Sequence, residues 1–173
     1  MLAKTFWKVV VADQTDLLGR LLDGLQAQGI RFCVLGGQGV NAYVDPVVSL
    51  DLDVVIATDQ RPDVEAWARR EFQVEAFPHS LNISAPGSDL RVQIQLDPRY
   101  GEFVARATAR EVLGYRLPVA SLEDVLQGKL WAAGDPSRRA SKRQKDLADI
   151  ARLLEAYPHL RSRVPADILA RLI

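Results

Sequence analysis

A chain of 173 residues with 48% hydrophobic and 25% charged side chains can bury a sizeable core, and it is short for two full domains. Its 22 basic and 22 acidic residues cancel, which excludes the positive field of a general nucleic-acid coat protein, and a mean hydropathy of −0.04 excludes disorder throughout. Cys33, the single cysteine, forbids an intrachain disulfide and points to a reducing, cytoplasmic setting. No apolar run reaches the roughly 18 residues of a membrane span, and no cleavage-site pattern stands before Asp13, so no membrane association is expected.

Leu17, Leu18, Leu21, Leu22 and Leu25 recur at helical spacing before Gly29, predicting a helix between Thr15 and Gln28 with a core-facing stripe. Arg31 to Leu35 reads as a short buried strand, Gly36-Gly37-Gln38-Gly39 as punctuation, and Val40 to Val44 as the start of a second helix ended by Pro46. Asp51 to Ala57 alternates, so Asp51, Asp53 and Val55 share one strand face and Leu52, Val54 and Ile56 the other. Pro62 suits a first helical turn, with the helix continuing over Val64 to Arg70; Phe72 to Phe77 and Leu81 to Ser84 follow as strands, and Pro86-Gly87 turns the chain. Asp89 to Asp97 alternates most strictly, with Leu90, Val92, Ile94 and Leu96 inward and Gln93 and Gln95 on the polar face. Ser121 with Asp124 resembles a capping box opening a helix to about Ala133, which Gly134-Asp135-Pro136 breaks. Leu147, Ile150, Ala151 and Leu154 mark a long helix over Ser141 to Ala156, and Pro158 and Pro165 bound a short terminal one. Mixed elements first and helices last predict an α+β fold, read as one domain over residues 1–173 with a body at about 15–118 and a helical segment at about 121–173.

Two constellations carry chemistry. In the first, a strand leads into Gly36-Gly37, and Asp51-Leu52-Asp53 follows on the next strand. Glycines after a strand let a helix start approach a phosphate, while acids at i and i+2 on one strand face can jointly hold Mg²⁺ through oxygen ligands. A tight turn and a solvated strand face would explain each part alone; the combination favours function, since acids are depleted in strands. In the second, Lys129 precedes Arg143-Gln144-Lys145-Asp146 and Asp149. A solvated helix with Lys142–Asp146 and Lys145–Asp149 pairs would account for those charges, yet Lys placed N-terminal to the acid is the weaker order against the helix dipole.

On these residues the chain resembles the nucleotidyltransferase superfamily, and its Lys129 and Arg143-x-Lys145-Asp146 pattern resembles the AbiEii-type toxins within it. The likeness implies a mixed β-sheet flanked by helices and transfer of an NMP from an NTP, with Mg²⁺ or Mn²⁺ held by Asp51 and Asp53. It implies an RNA or protein acceptor and a cognate antitoxin or toxin partner. It also implies catalytic roles for Asp51, Asp53, Lys129 and Asp146, with Lys129 on nucleotide phosphates and Asp146 as acid/base or acceptor orienter. Gly36, Gly37, Ser49, Arg143 and Lys145 are the implied substrate-binding residues, Ser49 standing where relatives often carry a Thr near the first acid.

One departure matters. The superfamily places a third carboxylate on a later strand, and the candidate strand offers Gln93 and Gln95 there; a glutamine accepts no proton as a base and subtracts a charge from a metal site. Either Asp146 supplies the missing function, or the chain is a catalytically reduced nucleotide- or partner-binding module. A dinucleotide-binding reading of Gly37-Gln38-Gly39-Val40-Asn41-Ala42 with Asp59 ranks below both, because successive strands over 72–97 replace the alternating strand and helix series it requires.

Overall fold

The computed structural model describes residues 3–10 and 12–172. In chain order they form α1 (Ala3–Val10), α2 (Leu17–Ala27), β1 (Phe32–Leu35), α3 (Gly36–Asn41), β2 (Asp51–Ile56), α4 (Arg61–Glu71), β3 (Gln73–Phe77), β4 (Ser80–Ser84), β5 (Arg91–Gln95), β6 (Thr108–Val112), β7 (Tyr115–Val119), α5 (Leu122–Gly134), α6 (Ala140–Ala156) and α7 (Ala166–Leu169). Short 3₁₀ segments at Pro98–Phe103 and Pro158–Arg163 follow β5 and α6.

Seven strands make one mixed sheet in the order β3-β4-β5-β2-β1-β7-β6. β2 runs antiparallel to β1 and parallel to β5, and β1 meets β7 in parallel through Val34 and Val119. The period-two pattern of β2 distributes its side chains between two cores. Leu52, Val54 and Ile56 pack with the leucines of α2 and with Val64 and Trp67 of α4, while Val55 joins Cys33 and Leu35 under the apolar faces of α5 and α6. Asp51 and Asp53 share the Val55 face, so the alternation that buries the strand also turns both acids toward the C-terminal helices.

Several elements differ from the sequence expectation. α3 begins at Gly36 itself, not after the glycines, because Gly36 at φ +64° turns the strand directly into a helix. The hairpin β6–β7 and the helix α1 have no counterpart in that reading. Ser121 does cap α5 by accepting from the Asp124 amide at 3.2 Å, but Asp124 does not complete a reciprocal box; its carboxylate takes the Arg106 guanidinium at 2.8 and 2.9 Å. The helix predicted from Ser141 runs over Ala140–Ala156. No described helix is long and apolar enough to cross a membrane.

Candidate active site

β1 and β2 bring the first constellation together. Antiparallel pairing sets Asp53 beside Leu35, immediately before Gly36, and parallel pairing sets Gln93 on its other side. A side chain at Gly36 would collide with the Asp53 carboxylate, so the bare backbone is what admits that carboxylate. A Cβ on Gly37 would find the Ser49 hydroxyl as its nearest side-chain atom, at 4.0 Å. That hydroxyl accepts from the Asp51 amide at 3.3 Å, and Gln38 donates to the Ser49 carbonyl at 3.2 Å, fixing the entry to β2.

The second constellation arrives on the opposite wall. A side chain on Gly39 would stand 3.3 Å from Val125, and one on Gly128 would stand 3.4 Å from Leu35, so glycines let α5 settle against α3 and β1. Lys129 is thereby buried, with Nζ 3.0 Å from Asp146 Oδ1 and 2.7 Å from Asp149 Oδ2. Arg138 Nε reaches Asp146 Oδ2 at 2.7 Å, and Arg152 reaches Asp149 Oδ1 at 2.8 Å. The in-helix pairs Lys142–Asp146 and Lys145–Asp149 give way to tertiary contacts from Lys129 and Arg138 and to the i,i+3 pair Arg152–Asp149. Lys142 instead stands 3.7 Å from Asp51 Oδ2, and Arg91 holds Asp51 Oδ1 at 2.8 Å.

Between the walls lies a narrow cleft of about 90 Å³ lined by Gly36, Asp53, Gln93, Gln95, Tyr100, Gly128, Lys129, Arg138 and Asp146. Burial pushes the Asp53 carboxyl above the usual carboxylate range, Lys129 and Arg138 oppose that rise, and the charges of Asp51 and Asp146 add to it. For Lys129, burial by itself would favour the neutral amine, but the neighbouring Asp149 and Asp146 charges outweigh it and the ammonium is held above the ordinary lysine value. Larger hollows, of about 690 Å³ beside Arg99, Trp131 and Arg163 and about 470 Å³ beside Arg31 and Asp59, lack this facing of carboxylate and lysine.

Of the residues singled out from sequence, Gly36, Asp53, Lys129 and Asp146 line the cleft, while Gly37, Ser49 and Asp51 stand at the loop and strand start beside it. Arg143 and Lys145 line no part of it: two positions apart on a helix, they point about 160° away from each other, and Lys145 is exposed. Arg143 Nε is buried without a hydrogen-bond partner. Gln93 pairs beside Asp53 on the neighbouring strand, and its amide donates to the Ser80 hydroxyl at 3.4 Å and accepts from Gln95 at 3.2 Å. Sequence reasoning gave no site role to Arg91, Arg138 or Arg152; no local spacing marks Arg91 or Arg138 as a partner of these acids, whereas the i,i+3 spacing of Asp149 and Arg152 on one helix did offer that pair. Asp59, which the dinucleotide reading needs, pairs with Arg31 at the other end of β2.

The described residues contain no group of three or more His, Cys, Asp or Glu placed to hold a metal. Asp51 and Asp53 are two oxygen donors, and Mg²⁺ is commonly held by one or two carboxylates together with substrate phosphates and water.

A mixed sheet presenting paired acids beside glycines at a helix start is the nucleotidyltransferase fold, and solved structures share it at low identity. The antibiotic-resistance factor ANT(2'')-Ia matches with a TM-score of 0.57 and 16% identity, over 87% of this chain and 92% of that one. The lincosamide antibiotic adenylyltransferase LnuA, lincomycin-bound, gives 0.53 and 12%, over 79% and 95%. An antigenic nucleotidyltransferase-like protein from Paracoccidioides brasiliensis gives 0.54 and 20%, over 96% and 86%. No curated protein matches the sequence. The family model described as nucleotidyl transferase AbiEii toxin, type IV TA system, matches residues 20–173, and the chain belongs to that family.

Proposed function

We propose that this protein transfers an NMP from an NTP to an RNA or protein acceptor, with Mg²⁺ or Mn²⁺, and that it is the enzymatic member of a toxin–antitoxin pair. The observation that carries the reading is Asp53, a half-buried carboxyl raised by desolvation, facing the Lys129 ammonium across a cleft that Gly36 also lines. Asp53 makes no ion pair among the described residues and so fits a divalent cation, and Asp51 and Asp53 would be its holders once Arg91 and Lys142 yield Asp51. When bound, the cation would neutralise charge on the triphosphate.

The chain's own residues do the rest. Gly37 leaves room for phosphate oxygens at the mouth of α3, while the space at Gly36 holds the Asp53 carboxylate. Lys129 donates to Asp146 and holds Asp149 by charge at 2.7 Å, which leaves an N–H for the cleft, where it can meet a phosphate oxygen. Arg138, whose side chain is 39% exposed, can turn from Asp146 to the triphosphate. That move frees Asp146 Oδ2 to take the proton of the acceptor hydroxyl as its oxygen attacks the α-phosphorus. The bond from that phosphorus to the bridging oxygen breaks, and pyrophosphate leaves.

Incubation of the protein with each α-labelled NTP, Mg²⁺ or Mn²⁺, and total RNA or protein should yield labelled acceptor in wild type and none in Asp53→Asn. Co-expression with the neighbouring gene product should suppress the label. A binding module of reduced catalysis is favoured by one observation, Gln93 in register beside Asp53. Metal-dependent NTP binding without label on any acceptor would select that module.

A further inference from the structure

The charged network around Lys129 continues past the cleft. Asp149 is buried and holds Lys129 with one oxygen and Arg152 with the other. Arg152 then donates to the Asn41 side-chain oxygen at 3.0 Å and to the Asp45 carbonyl at 2.6 Å. Asn41, the last residue of α3, closes on the loop that follows: its amide nitrogen donates to the Val47 carbonyl at 2.8 Å and its oxygen accepts from the Val47 amide at 3.1 Å. The loop so clamped is the one that delivers Ser49 and Asp51 to the site.

We propose that Asp149, Arg152 and Asn41 are positioning residues that hold the lysine wall of the cleft in register with the loop carrying Ser49 and Asp51. None of the three lines the cleft. Beside this bridge the walls, from segments more than seventy residues apart, are joined by the strand contact at Val34 and Val119, by apolar packing, by the Tyr43 and Tyr157 hydroxyls on the Ala120 and Tyr43 carbonyls at 2.7 and 2.9 Å, and by the Lys142–Asp51 pair at 3.7 Å, and none of these touches Lys129 or Asp149. Apolar contact is non-directional and sets no fine register; a guanidinium fork with donors on two acceptors does. Arg152 suits the task because its side chain is only 21% exposed and all its partners are fixed groups.

The kinetic part of the test rests on the transferase reading; the other part does not. In label transfer from a saturating α-labelled NTP to total RNA, Arg152→Gln should lower kcat about tenfold or more, since small misplacements of reacting groups are costly, and leave the NTP KM within about twofold. Arg152→Lys, which keeps the charge but cannot span all three acceptors, should recover only part of the loss. Hydrogen–deuterium exchange on the same variants should show faster uptake in residues 42–50 and around Lys129 together. Unchanged kcat in folded Arg152→Gln overturns the proposal, as does faster exchange confined to one of the two segments. If wild type labels nothing, the transferase reading fails by itself, and the exchange experiment still decides the positioning role.

Discussion

Replacing Lys129 with methionine keeps most of the side-chain volume and removes the ammonium that two buried carboxylates share. Breaking a buried ion pair by deleting one partner typically costs about 3–5 kcal/mol, because the remaining charge is stranded. Here each acid retains a second cation, Arg138 on Asp146 and Arg152 on Asp149, which places the expected loss near the lower end, about 3 kcal/mol. For a chain of this length that corresponds to a fall in melting temperature of roughly 6–12 °C. The pH dependence has a definite sign. The folded lysine sits above its ordinary value, so its contribution is complete below that value and disappears only as pH climbs through the raised one. The gap between wild type and Lys129→Met should therefore hold steady from roughly pH 6 to 9 and narrow only in strong alkali. Urea melts of both proteins across that range measure it. A gap under about 1 kcal/mol, the level of an exposed pair, would refute the buried network.

Asp53→Asn removes a carboxyl whose ionised form burial disfavours, so it should raise the melting temperature of the metal-free protein, and the excess should shrink as pH falls into the carboxylate range; loss of metal-dependent NTP binding in calorimetry should accompany it. Gln93→Asp puts a like charge beside Asp53 on the neighbouring strand, which should lower metal-free stability and tighten Mg²⁺ binding; a melting temperature indifferent to Mg²⁺ would show that position 93 does not serve the site. Gly36→Ala should cost about 1–2 kcal/mol for a side chain at positive φ, with a further loss as Asp53 is displaced, and should weaken NTP binding more than Gly37→Ala does.

The strand carrying the acids was legible because its first half alternates, with Asp51 and Asp53 opposite Leu52 and Val54, before Val55 and Ile56 make it apolar on both faces; β5 alternates throughout, with Val92 and Ile94 inward. The glycines before α3 were legible as a break, yet their place inside the helix was not, since positive φ at Gly36 has no signature beyond glycine itself. The hairpin β6–β7 escaped because an edge strand exposed along most of its length, with Arg110 between Ala109 and Glu111, shows no two-residue period, and Pro118 argues against a strand inside β7. The only cue was Leu113-Gly114, both at positive φ in a tight turn. In α6, sequence supplied the right charged residues and the suspicion that their order was poor for a lone helix. Which partner each would take depends on α5 and α3, seventeen and more than a hundred positions away, and no local spacing encodes that.

The position of β1 inside the sheet, between β2 and β7, has a consequence for the chain during its synthesis. Its neighbour β2 is made within about two dozen residues, but its other neighbour, β7, emerges only at Tyr115–Val119, and α5 follows it directly. A nascent or truncated polypeptide that stops short of α5 owns Gly36, Asp51 and Asp53 but has no Lys129 to face them. Pairing across so long a sequence separation is also slow to form. On the functional reading above, a protein able to harm the cell that makes it would thus remain harmless on the ribosome until its last third is complete.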